Sequence, residues 1–289
     1  MITQKNKPDS EIYILGSGAQ KKKDKITAKS KWIVLFISFA IIILTVAFVV
    51  FSLKEQTPEY YFEPEEIWQQ SISIPTASNE NPTQKGFIET QEETINDVPL
   101  LLYIPHNATM SLSLGMPDKS DSTIIFTTMA ADIRKDNKKI VGDFVLSGKQ
   151  LAKGIAKKGF CAVVDNTISI GIGENTPLLQ QAIENNGYFF RQYPLVHNGE
   201  LIANKPKNKS IRRALAVRNG QVIMVESKNI ESFHDFSQAL IDIGVSDAIY
   251  LVGGDAFGWY YDKENIRQEF GKEKPDFPKN TSFIVWQIK

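Results

Sequence analysis

From Trp32 to Leu53 the chain reads WIVLFISFAIIILTVAFVVFSL, without a charge and with Ser38, Thr45 and Ser52 as its only polar members. At about 1.5 Å of helical rise per residue, roughly 20 residues cross a hydrocarbon core of about 30 Å. A helix in a soluble core is rarely apolar on every side for so long. The run therefore predicts one transmembrane helix over 32–53, with the lipid bilayer as its partner. Lys21, Lys22, Lys23, Lys25, Lys29 and Lys31 precede it, and Lys54 alone follows before Glu55, Glu59, Glu63, Glu65 and Glu66. That Lys/Arg asymmetry puts the N-terminus in the cytoplasm and everything after Leu53 on the periplasmic or cell-surface side. A cleaved signal peptide has a shorter apolar core and small residues at its exit. The exit here, VVFSLKEQ, offers no such pair, so the reading is a signal-anchor.

Residues 1–31 are polar and Lys-rich and read as a disordered tail. Residues 54–97, rich in Glu, Gln, Pro, Thr and Asn, read as a linker with a short helix near Glu65–Gln70. The extracytoplasmic domain is expected over 98–289. With 33 Lys+Arg against 33 Asp+Glu, the chain lacks the basic excess of a nucleic-acid binder. Its one cysteine excludes a disulfide framework and Cys-rich metal sites.

Past Val98, short apolar runs alternate with turn signals. Leu100–Ile104 before Pro105, the alternating Met110, Leu112 and Leu114, then Ile124–Met129, Asp143–Leu146, Phe160–Val164 and Ile168–Ile172 read as strands. Asn198-Gly199 and Asn219-Gly220 read as turns, the second within a hairpin. Thr176-Pro177 opens a helix that Gly187 can end. Ser232 with Asp235 opens another, with Phe233, Phe236, Leu240 and Ile243 on one face and Gly244 as its stop. Ala248–Val252 is a continuous apolar strand, and SFIVWQI closes the chain. The fold class expected is α+β, a mixed β-sheet with packed helices, preceded by the transmembrane helix.

His106, His197 and His234 are scattered, and none has a ligand at metal spacing, so neither a metal nor a cofactor is expected. Cys161 lies in an apolar strand and reads as a structural thiol. Two segments carry more. In IYLVGGDAFGWYY an apolar strand meets Gly253-Gly254, which lets a backbone turn sharply or a ligand approach. Asp255 stands at that strand's end, with Trp259, Tyr260 and Tyr261 beyond it. In KPKNKSIRRALAV, alternation points Arg212 and Arg213 to opposite faces, and a guanidinium held by a sheet can clamp a phosphate.

The order of these pieces resembles the phosphodiester glycosidase family over roughly Thr109 to Trp259. SIRRALAVRNGQVIMVESKNIESFHDFSQALIDIGVSDAIYLVGGDAFGW is similar to its pattern of an Arg-x-Ala strand, hairpin, helix, and strand ending Leu-Asp-Gly-Gly-Gly-Ser. MAADIRKDNKKIVGDFVLSGKQLAKGIAKKGFCAVVDNTISIG is similar to its Asn-Gly-Gly-Phe-Phe motif with the hairpin after it. The resemblance assigns Arg212, Gly253 and Gly254 to substrate binding. It departs at Val252, where the family has Asp, at Asp255 and Ala256, where it has Gly and Ser, and at Met129, where it has Asn. Asp255 and Asp132, both at predicted strand ends, are the candidate catalytic residues in place of the missing carboxylate. Glycoside hydrolysis ordinarily takes two carboxyl groups, but a phosphate leaving group needs less protonation. The implied function is hydrolysis of a sugar–phosphate diester in a cell-envelope glycan. The alternative is a catalytically inactive module of the same fold that binds a glycan or a protein partner.

Overall fold

The computed structural model describes residues 70–75 and 85–288, together with Trp32, Ile37 and 39–46. The chain divides into two units, Met1–Pro58 and Glu59–Lys289. In the first, Trp32, Ile37 and 39–46 are helical, and Ile41, Ile42, Ile43 and Leu44 are exposed. The remainder of the expected transmembrane helix, the tail over 1–31, and residues 65–69 of the expected short helix lie outside the described residues. No described helix is long and apolar enough to cross a membrane.

The second unit is mostly β. In chain order its strands are β1 (Gln70–Pro75), β2 (Phe87–Ile95), β3 (Val98–His106), β4 (Ala108–Leu114), β5 (Ile124–Met129), β6 (Phe144–Leu146), β7 (Lys149–Ala152), β8 (Gly159–Val164) and β9 (Thr167–Ile172). Helix α1 (Pro177–Glu184) precedes β10 (Tyr188–Gln192), β11 (Pro194–His197), β12 (Glu200–Leu201), β13 (Arg213–Arg218) and β14 (Gln221–Ser227). Helix α2 (Phe233–Asp242) precedes β15 (Val245–Leu251), β16 (Gly258–Tyr261), β17 (Arg267–Phe270) and β18 (Ser282–Ile288).

Three sheets result, ordered β1-β9-β8-β10-β6-β7, β12-β11-β15-β13-β14-β3-β2 and β17-β16-β5-β18-β4. Neighbouring strands are antiparallel throughout the described residues, not mixed as expected. The physical reason is connection length. Two-residue turns join β2 to β3, β6 to β7, β8 to β9, β11 to β12 and β13 to β14, and such turns reverse the chain. Their central residues, such as Asn219 (φ 51°) and Gly220 (φ 73°), take the left-handed conformation this turn demands.

The segment expected to be a linker over 54–97 supplies two strands. β1 lies along β9 and β2 along β3, each at a sheet edge. The outward side chains of β2 are Glu, Thr and Gln, which suits an edge and hides the strand in the composition.

Alternation along the central strands divides the core. Leu215, Val217, Ile249 and Leu251 join Phe126, Phe190 and Trp286 in the core lined by all three sheets. Ala214, Ala216, Ala248 and Tyr250 face the other way, under Phe233, Phe236 and Leu240 of α2. The helix starts as expected, with the Ser232 hydroxyl accepting from the Asp235 amide, and Gly244 follows its end at φ 86°. Likewise Thr176 caps α1 with Pro177 in its first turn. There the left-handed residue is Asn186 (φ 54°), one before the expected Gly187.

Candidate functional site

Arg212 and Arg213 do point to opposite faces. Arg213 enters the three-sheet core side, pairs with Glu226, donates to the carbonyls of Val252 (3.3 Å) and Ala256 (2.7 Å), and lies against Phe270. Arg212 lies on the α2 side, its guanidinium 4.0 Å from the centre of the Phe233 ring. It is 2% exposed. Its Nε donates to the Glu231 carbonyl (2.9 Å) and an Nη to the Asn208 carbonyl. These bonds fasten two loops around the start of β13. The guanidinium also reaches the Tyr250 hydroxyl.

Tyr250 is the hub. Its hydroxyl accepts the Gly253 amide at 3.1 Å, and its ring packs on Phe233 and Tyr193. Burial pushes the phenol above its usual range; the Arg212 charge works against that and the Asp132 charge with it. Asp132, just past β5, is thus within electrostatic reach of the end of β15. Its Oδ2 receives the ammonium of Lys157, and its side chain is 32% exposed. Among the described residues Oδ1 has no hydrogen-bond partner.

Lys157, in the loop before β8, is buried. Its Nζ donates to Asp132 and to Gln192 Oε1 (2.9 Å), and stands 4.3 Å from the centre of the Tyr193 ring. Gln192 is itself fixed, accepting the Tyr193 amide and donating to the Ala130 carbonyl. Burial lowers the lysine pKa and the Asp132 charge opposes it.

The glycine pair has a role other than ligand approach. The Gly253 amide is engaged by Tyr250, and the Gly254 amide donates to the Ile211 carbonyl at 2.8 Å. A Cβ on Gly253 would collide with that same Ile211 oxygen. The pair therefore packs the turn after β15 tightly against the residue preceding Arg212. Asp255 does not join Asp132. Its side chain is 61% exposed and faces the Lys272 ammonium at 3.5 Å.

Of the residues singled out in the sequence, the structure brings together Arg212, Gly253 and, through Tyr250, Asp132. Lys157, Gln192, Tyr193 and Tyr250 were not foreseen. The histidines stay apart: His106 meets Glu89, and His197 meets Asp247 at the opposite end of β15. No described group of His, Cys, Asp and Glu has the arrangement of a metal site. The arrangement puts the partly open Asp132 carboxylate against the buried Lys157 ammonium, with the Tyr250 phenol between it and the buried Arg212. Chemically it can accept a proton from water near an anionic ligand.

A family model described as phosphodiester glycosidase matches residues 122–285. Among solved structures, the catalytic domain of zebrafish N-acetylglucosamine-1-phosphodiester alpha-N-acetylglucosaminidase, auto-inhibited by its pro-peptide, superposes with a TM-score of 0.54 at 13% identity. That match covers 78% of this chain and 91% of the zebrafish one. At such identity the likeness is one of fold. A hypothetical protein from Synechocystis gives a TM-score of 0.46 at 12% identity, over 71% of this chain and 62% of its own. No curated protein sequence matches this chain.

Proposed function

We propose a function from one premise: this chain belongs to the phosphodiester glycosidase family, whose model matches it over residues 122–285. It hydrolyses a glycosyl phosphodiester with Asp132 as the single working carboxylate. Water attacks the anomeric carbon and gives a proton to Asp132. The bond from that carbon to the phosphate oxygen breaks, and the phosphate monoester leaves with the electron pair. Because a phosphate monoester has its second pKa near 6, it departs at neutral pH without a proton donor. A second carboxyl group is then dispensable, which accords with Val252 standing where the family has Asp. Arg212, with the Tyr250 hydroxyl beside it, supplies the positive charge that favours the phosphate on that side of Asp132.

The observation that carries this reading is the placement of Asp132, half-open and held on one oxygen only. The finer setting is part of the same proposal. The chain is anchored by 32–53 with its domain outside the cytoplasm, acting on a cell-envelope glycan. Supporting the anchor, the Thr45 hydroxyl donates to the carbonyls of Ile41 and Ile42, which conceals the polar group within its own helix.

A second reading, a glycan-binding module without turnover, is favoured by Arg212 being engaged with two loop carbonyls and by Asp255 lying in solvent. One experiment separates them. The purified full chain is incubated with a panel of glycosyl phosphate methyl esters, and released phosphate monoester is measured. Asp132→Asn is expected to lower turnover on the order of 100-fold or more, and Asp255→Asn to leave it unchanged. Saturable binding of the panel without turnover, in a folded wild type, supports the module instead.

A further inference from the structure

The three N–H donors of Lys157 point to Asp132, Gln192 and the face of Tyr193. Gln192 is 0% exposed and cannot turn its amide, because Oε1 also accepts the Tyr193 N–H and Nε2 donates to Ala130. A lysine so held has no direction left in which to grip a phosphate. Asp132 is the reverse case, with one oxygen fixed and one open. The loop carrying Lys157 is held in turn from below: Arg191 Nη1 reaches the Lys157 carbonyl (3.5 Å) while its Nε pairs with Asp143 (2.7 Å).

We propose that Lys157 is the positioning residue of this site: its ammonium, oriented by Gln192 and Tyr193, holds Asp132 by Oδ2 so that Oδ1 faces the attacking water. This rests on the glycosidase reading and goes beyond it in assigning a required cation that never touches substrate. The site works while Lys157 is charged. When the ammonium loses its proton, Asp132 loses its anchor and turnover falls.

Among the described residues the charged and titratable groups around Lys157 are few. Asp132 faces it from the end of β5, Tyr193 from the β10–β11 junction, and the Arg191 guanidinium from β10. Tyr250 and Arg212 stand beyond Asp132 on the β13–β15 side, and the neighbouring Lys158 pairs with Glu174 at 3.1 Å. Burial favours the neutral amine, so the basic limb of the activity profile belongs below the ordinary lysine value of about 10.4.

The test is the pH dependence of kcat/KM for the full chain on the responsive methyl ester, in wild type, Lys157→Arg and Lys157→Met. Lys157→Arg keeps a charge that no accessible pH removes. Its basic limb is expected to move to higher pH than that of the wild type. Lys157→Met is expected to lose on the order of 100-fold in kcat/KM. Near-UV circular dichroism checks its fold. An Arg variant with the wild-type limb, or a folded Met variant with wild-type turnover, overturns the assignment. If the wild type turns over nothing on the panel, the glycosidase reading fails by itself. Lysine 13Cε resonances of the full chain then decide the pairing. One lysine titrating below the rest, lower still in Asp132→Asn, upholds it. All lysines titrating together near 10.4 overturns it.

Discussion

Replacing Arg213 with Met removes a cation that is 1% exposed and leaves its partner Glu226, 13% exposed, in place. Breaking a buried pair from one side typically costs about 3–5 kcal/mol, because the remaining charge is stranded. Glu226 keeps the Tyr103 hydroxyl and a little water, which argues for the lower end, about 3 kcal/mol. The carbonyls of Val252 and Ala256 also lose their donor, worth roughly 1 kcal/mol each at most. A total near 4 kcal/mol is a large fraction of the roughly 5–15 kcal/mol that stabilises a domain. For a domain of this size it lowers Tm by roughly 10 °C. The assay is urea and thermal unfolding of the full chain by tryptophan fluorescence, since Trp259 and Trp286 are buried in the same unit. Arg213→Met with Glu226→Gln removes the stranded charge and is expected to recover about 2 kcal/mol of the loss. A single variant within about 1 kcal/mol of wild type, or a double variant as unstable as the two singles added, refutes the account.

Gly253→Ala drives a Cβ into the Ile211 carbonyl and within 2.9 Å of the Tyr250 hydroxyl, and is expected to cost about 3 kcal/mol in the same unfolding assay. Gly220→Ala meets no atom and strains only a left-handed backbone, so about 1 kcal/mol is expected. Cys161 is buried and its thiol is pushed well above its usual pKa. Iodoacetamide is expected to label it only in urea, as mass spectrometry will record. Burial raises the phenols of Tyr103, Tyr250 and Tyr260. The unfolded chain therefore releases those protons first, and stability falls as pH rises above about 10, which unfolding at stepped pH measures. Lys157, whose pKa is lowered, acts in the opposite sense between its folded value and about 10.4.

Much of the fold was legible because short-range rules govern it. Asn219-Gly220 announced its hairpin, the Ser232 cap and the spacing of Phe233, Phe236 and Leu240 announced α2, and Ile124–Met129 appears as β5 at the expected bounds. The mixed-sheet expectation came from strands outnumbering helices, a balance that says nothing about strand direction. The continuous apolar run from Ala248 does form a strand buried on both faces, with α2 on one side of β15 and the three-sheet core on the other.

The site was legible only where a local rule reached it. Strand alternation separates Arg212 from Arg213 whatever the rest of the molecule does. Lys157 follows no such rule. It sits with Lys153 and Lys158 in a loop whose composition reads as solvated, and only the tertiary fold buries one of the three. What selects it is the meeting of three chain segments, the ends of β5 and β10 and the loop before β8, which are adjacent in space and far apart in sequence. Asp255 shows the converse. Its place after a buried strand resembles that of a functional carboxylate, yet its side chain lies in solvent beside Lys272. The turn that carries it is tied to the start of β13 by the amide of Gly254 (φ 59°) reaching the Ile211 carbonyl, a contact no local spacing in the sequence reveals.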